Sequence, residues 1–389
     1  MKRFAWPLAL AALAATALTR PASADLIAVA NDNHSVNTNG VMGPGKNPPP
    51  DNVAIVDVGV YPPRLVANID APTSVVGSPN SIWISPDEKW VIVTSASKID
   101  PKDPTKIIEN DQVSVIDLKA SPPKVVETFQ AGKGANEVSV DSDGVYGLIA
   151  NRAAGTLSPF TVRGENVAKA AGGVVKVGDE KSMPSSVMFT PDAEHALATL
   201  YGDNKLAWMD TEGAKTTISK HTIVTGVSPY TLDIDKAGKH AVVGNMGGGG
   251  TGDIGTVSII DLTRDPPNTV YTASVPSSPE GVKFSPDGKY LAVASVNGST
   301  RPSNSPLYHD HGRLWMFAVA DDGTLNPLTE APIGRWSQGI AFSKDGKTVL
   351  VESMIDHGLN VFRWDGKKLT AGKTLDVKGA PAAIRSPWP

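Results

Sequence analysis

Cysteine is absent from the 389 residues, so disulfides contribute nothing to stability even if the chain folds in an oxidising compartment. A chain of this length buries a core that needs no such staples. Beyond residue 24 no stretch approaches 18 consecutive apolar residues, which removes a helical membrane span from expectation. Basic residues are neither in excess nor clustered, with 36 Lys and Arg against 40 Asp and Glu. Electrostatic capture of nucleic acid needs a basic patch or stripe, so that partner is excluded. Three catalytic signatures are also missing: the Gly-x-Ser-x-Gly elbow, the phosphate-binding P-loop and His-Glu-x-x-His. The glycine run at 247–252 lacks the Lys-Ser/Thr and the helix of a phosphate cradle, and reads as a flexible lip.

The first 24 residues read as an export signal. Lys2 and Arg3 lead an apolar stretch at 4–18, and Ala22-Ser23-Ala24 forms a small-residue cleavage site. Cleavage before Asp25 leaves 365 residues, removes Lys2, Arg3 and Arg20, and moves the formal charge from −4 to −7. The expected location is periplasmic or secreted, with 25–389 forming one domain.

Proline and glycine are plentiful, 31 and 37, but they recur at turns between apolar runs, as in a β protein with many turns. One phrase returns along the chain: small-Pro-x-x-apolar-x-apolar, then Ser/Asp-x-Asp-Gly-Lys, an apolar run, and Val-Ser-Val-Ile-Asp-Leu. Its starts lie at Pro79, Ala135, Pro184, Pro229, Pro279, Ser337 and Pro381, 44 to 58 residues apart. That spacing matches the blades of a β-propeller. Each unit parses into four strands, for example A at 81–84, B at 90–94, C at 112–118 and D at 125–129. The chain opens on a B strand at 26–30 and closes on an A strand at 382–385. The expected fold is therefore all-β, a seven-bladed propeller whose ring is closed by a C-terminal A strand pairing with the N-terminal B, C and D strands.

Val113–Asp117 and Val257–Asp261, together with the Ser-Pro-Asp-Gly-Lys turn at 285–289, resemble the YVTN-type and lactonase-like seven-bladed propellers over nearly the whole chain. The resemblance implies this fold and, for lactonase members, a Pro-His-x-His signature at the start of an A strand. Here those starts read Pro-Asn, Ala-Asn, Pro-Ser, Pro-Tyr, Pro-Glu, Ser-Gln and Pro-Ala. Catalytic residues therefore do not carry over position by position.

In a propeller the B–C loops and D–A connections share one face, the top, and the A–B turns share the other. The B–C connections are long at 32–51, 96–111, 246–255 and 296–312, and long excursions in a compact domain are usually functional. His195 and His240 sit at the start of B strands and read as structural, whereas His34, His309, His311 and His357 fall in B–C loops. His309, His311 and His357 form a candidate divalent-metal site, since imidazole suits zinc or copper. The competing reading is that Asp310-His311-Gly312 and Asp356-His357-Gly358 are turns leading into strand C.

Repeat position identifies the residues of the channel mouth. Asn80, Asn136, Tyr230, Glu280 and Gln338 follow the A-strand starts, and Asn31 and Asn245 end B strands. These seven are the candidate ligand contacts. Candidate catalytic groups are Glu280, His309, His311 or His357 as a base and Arg152 or Arg335 as oxyanion partner. Three functions stay open: a scaffold binding a small polar ligand or a periplasmic protein, a lactonase-type hydrolase, or the propeller subunit of a periplasmic redox complex. The top mouth, and not the bottom turns, is expected to carry function.

Overall fold

Each repeat forms an antiparallel sheet, of four strands in six blades and of five in blade 3, where Val175–Lys176 also pairs with strand C, and the seven sheets form the ring. The computed structural model describes residues 25–387 except 164, 165, 171, 172, 214 and 249–253. The segment expected to be an export signal and most of the glycine run at 247–252 therefore lie outside the described residues. No described helix is long and apolar enough to cross a membrane.

Closure is as expected. Pro381–Arg385 is strand A of blade 1 and pairs antiparallel with Leu26–Asn31, which leads to Asn52–Asp57 and Arg64–Asp70. Val29 faces Ile384 and Ala30 faces Ala383. The two edges of the open chain thus satisfy each other, as a closed ring requires.

Seven hydrophobic clusters fill the seven interfaces between neighbouring blades. The closing interface, between blades 7 and 1, packs Ile27, Val29 and Ile384 against Leu350 and Leu359. Each large aliphatic side chain buried in this way contributes roughly 1.5–3 kcal/mol.

Two of the long B–C segments are not irregular loops. In blade 2 the strands themselves extend, running Trp90–Asp100 and Asp103–Asp117, so residues 96–111 form a hairpin arm. In blade 1 the excursion folds into a second hairpin, Ser35–Thr38 with Val41–Pro44. Its tip meets the B–C loop of blade 6, where the Ser303 N–H donates to Asn39 Oδ1 at 2.9 Å.

Candidate functional site

The mouth is built by a bulge. In blade 5 Pro229 pairs with Asn245 and Thr231 with Gly244, so Tyr230 has no residue opposite. Glu280 stands the same way between Pro279 and Gly281. Equivalent slips free Asn136, Ser185, Gln338 and Ala382. Proline is tolerated at such a strand start because it donates nothing to the ladder. A bulge then re-aims the next side chain, a device common beside active sites. The residue before the start is left-handed in five blades, at Gly134, Met183, Ser228, Ser278 and Trp336. Four of these carry side chains, at a cost of about 1–2 kcal/mol each.

Along blades 3 to 7 these residues form a polar arc. Arg152, on the B–C turn of blade 3, donates through Nη1 to the Met183 carbonyl at 3.3 Å and to the Ser185 hydroxyl. Its guanidinium lies 4.7 Å from the centre of the Tyr201 ring and 5.7 Å from that of Tyr230. The two rings meet edge to face at 6.0 Å. The Tyr230 hydroxyl donates across the channel to the Gly77 carbonyl. Glu280 follows on blade 6, only 8% exposed. Burial pushes its carboxyl up to about 8 against the opposing pull of Gln338 and Trp336 beside it. Burial, with the charge of Glu280 added, also raises the Tyr230 phenol. An apolar cluster that includes Val75, Val296, Trp336 and Met354 packs beside the Glu280 end of the arc.

Further down the channel is a set of buried charges. Glu137 is fully buried and pushed up to about 7 by desolvation, despite Arg385 nearby and a 2.5 Å hydrogen bond from Ser78. Arg385 Nη2 stands 3.9 Å from Glu137. Lys283 and Asp233 pair at 2.7 Å. Burial also holds Glu352 well above the usual carboxylate range, with the Gly339 N–H donating at 2.8 Å. Asp233, Lys283 and Arg385 share one repeat position, the fifth of strand A, where other blades place Trp83, Ser139, Met188 and Ala341. Charge at an otherwise uncharged position was the signal available in the sequence.

The remaining candidates are engaged elsewhere. Asn31 and Asn245, like Asn151, clamp their own blades. Asn31 Nδ2 donates to Asn52 at 2.7 Å, Asn245 to Thr256 and Ser258 at 3.1 and 3.0 Å, and Asn151 to Thr156 and Ser158 at 3.0 and 2.9 Å. Asn80 donates across the channel to the Leu232 carbonyl at 3.3 Å, and Asn136 donates to the Ser185 carbonyl. Arg335 forks onto Asp356 at 2.9 and 2.7 Å and is not part of the arc.

The expected convergence of His309, His311 and His357 is not found. Among the described residues, two groups of three bring metal-ligating atoms within 4.8 Å of one another, Asp32–His34–Asp51 and Asp192–Glu194–His195. His311 turns onto the adjacent Asp310, Asp356 is held by Arg335, and His357 sits at φ 54° as a turn residue. The shared Asp-His-Gly phrase is thus a turn leading into strand C. His34 behaves differently. It is buried, with Nδ1 at 3.0 Å from Asp32 and 2.9 Å from Asp51. Burial opposes its charge, but hydrogen bonds donated to both carboxylates raise the imidazole to about 10. The same carboxylates accept the N–H groups of Ser35, Val75, Asn33 and Thr73. This cluster latches the blade 1 excursion to the ring.

No protein-family model matches the sequence, and no curated protein matches it. Solved structures do. The periplasmic gluconolactonase of Pseudomonas aeruginosa superposes with a TM-score of 0.65 at 19% identity, covering 92% of this chain and 98% of that one. A functionally unknown protein from Desulfotomaculum acetoxidans gives 0.67 at 14% identity, covering 94% and 99%. Hydrazine synthase of Kuenenia stuttgartiensis gives 0.57 at 19% identity, covering 75% and 78%. At these identities the likeness is one of fold, the seven-bladed propeller that gluconolactonase-like structures share.

Proposed function

We propose that this protein is an exported propeller that binds a small polar anion at its top mouth, with Arg152, Tyr201, Tyr230, Glu280 and Gln338 as contacts. The observation that carries this is the stacking of Arg152 on Tyr201 and Tyr230, with Glu280 beside them. A guanidinium laid on aromatic rings keeps its donor edge for a carboxylate or phosphate. A carboxyl titrating near neutrality can donate to a ligand or accept from it. Tyr230 and Glu280 are 9% and 8% exposed, which suits a small molecule entering the mouth better than a protein surface. The gluconolactonase-like fold makes sugar acids and their lactones the first ligands to try.

A second reading, lactone hydrolysis, is favoured by the carboxyl of Glu280 at about 8. Its ionised form takes a proton from water as the water oxygen bonds to the lactone carbonyl carbon, and Arg152 faces the oxyanion. The ring C–O bond then breaks, and the departing alkoxide takes the proton back from Glu280.

Calorimetric titration with gluconate, and a pH-stat assay of gluconolactone opening, test both. Binding weakened by Arg152→Met and Glu280→Gln, without turnover, supports the binding reading. Turnover abolished by Glu280→Gln supports the hydrolase. A wild-type protein that neither binds nor turns over these compounds removes both for this ligand class.

A further inference from the structure

Three cavities on the bottom face are one groove repeated. They measure about 460, 480 and 630 Å³ and lie between the A–B turns of blades 4 and 5, 5 and 6, and 6 and 7. A groove that recurs with the repeat follows from the architecture and marks no site. A fourth cavity, of about 330 Å³, has a different setting: its walls come from blades 1, 2, 5, 6 and 7, which places it on the channel axis. Six blades turn from strand A to strand B through a covalent hairpin. Blade 1 does not, and its chain runs on through Ser386 and Pro387, which line this cavity.

We infer that this bottom mouth is a second binding site, for a small organic anion with an apolar body, such as an aromatic carboxylate. The body is received by Ile234, Phe284 and Phe342, which are core residues with 0%, 4% and 2% exposure. The charge is received by three lysines, Lys236, Lys283 and Lys344, and no Asp or Glu lines the cavity among the described residues. Lys236 has no ion-pair partner among the described residues. Lys344 is shared with Glu88 at 2.9 Å, and Lys283 is held by Asp233. Behind the wall, one residue before Ser386, Arg385 is 4% exposed, and its Nε and Nη1 have no partner among the described residues. Cations on the rim and behind the wall, with aromatic walls between them, favour an anion whose body is apolar. The cavity volume lies in the range of small-molecule sites and is too confined for a macromolecular partner. This site is independent of the top mouth.

The test uses phenylbutyrate and its neutral counterpart phenylbutanol, titrated calorimetrically into the full protein. Phenylbutyrate should bind, and phenylbutanol should bind at least about tenfold more weakly. Lys236→Glu with Lys344→Glu should weaken phenylbutyrate by about tenfold or more, and should lower Tm, because Lys344→Glu sets a second carboxylate against Glu88. The single Lys236→Glu variant, which disturbs no ion pair, repeats the test if the double variant folds poorly. Raised salt should weaken binding. Arg152→Met at the top mouth should leave it unchanged. No binding by the wild type, equal binding of the alcohol, or unaltered affinity in both charge-reversed variants overturns the inference.

Discussion

The two ends of each inner strand solve different problems. At the bottom, one turn formula is repeated. Ser85, Ser285 and Ser343 each donate to the Asp two residues on and accept the N–H of the first residue of strand B. Thr190 does the same, and Asp141 and Asp235 use a carboxylate instead. At the top, the backbone also repeats in five blades, as a left-handed residue followed by a bulge, but the bulged side chains differ: Asn136, Ser185, Tyr230, Glu280 and Gln338. The same backbone device with varied side chains is how a repeat protein acquires one asymmetric site.

The largest effect that would break this picture is on closure. Removing residues 381–389 strips strand A from blade 1, uncovers the edge at Leu26–Asn31 and empties part of the blade 7–blade 1 core. The truncated protein should lose its cooperative thermal transition and its solubility. A truncated protein that melted like the full-length one would remove the role assigned to that strand.

Next is the latch. His34→Ala leaves Asp32 and Asp51 facing each other without their cation, which should cost about 3–5 kcal/mol in denaturant titrations. Because the folded imidazole sits at about 10, above its ordinary 6.5, its contribution is complete below about pH 6.5 and is lost as pH rises towards 10. The gap between wild type and variant should close across that window. A constant gap would mean that His34 acts by packing.

Glu280 sharpens the top side of the comparison. Its carboxyl is raised, so between the ordinary 4.5 and about 8 the folded protein holds a proton that the unfolded chain has released. This contribution therefore falls as pH rises through that interval. Glu280→Gln, which cannot ionise, should gain on the wild type by on the order of 1–3 kcal/mol between pH 5 and pH 8 while losing ligand affinity. A variant whose stability tracked the wild type at both pH values would place that carboxyl in contact with solvent.

The smallest effects belong to the bottom turns. Ser285→Ala removes one turn bond and should cost about 1 kcal/mol. Lys289→Ala, exposed and paired only with Asp287, should stay within about 0.5 kcal/mol. Both should leave top-mouth binding unaltered. A loss of top-mouth binding in either would couple the two ends of the channel.

Blade number, strand order and ring closure were legible because each rests on local pattern: two-residue alternation, Pro-Asp-Gly turns and a phase offset between the first and last strands. Tyr230, Glu280 and Gln338 were legible as mouth residues because the repeat aligns them. The three imidazoles of His309, His311 and His357 do not converge, since His311 turns onto Asp310 and His357 takes a left-handed turn conformation. Arg152 was picked for its charge beside a listed position, yet its role depends on Tyr201 and Tyr230, 49 and 78 residues further along. The latch at His34 was missed because Asp51 lies 17 residues away in a segment with no repeat partner.

By itself, then, the sequence determined that seven similar sheets close into a ring, because hydrophobic periodicity and turn chemistry act over a few residues at a time. Only the tertiary structure decided which equivalent positions become unequal. Tyr230 reaches Gly77 across 153 residues, and Arg385 approaches Glu137 from the far end of the chain. Desolvation and charge pairing depend on distances across the channel, and a closed ring fixes those distances only when every blade is in place.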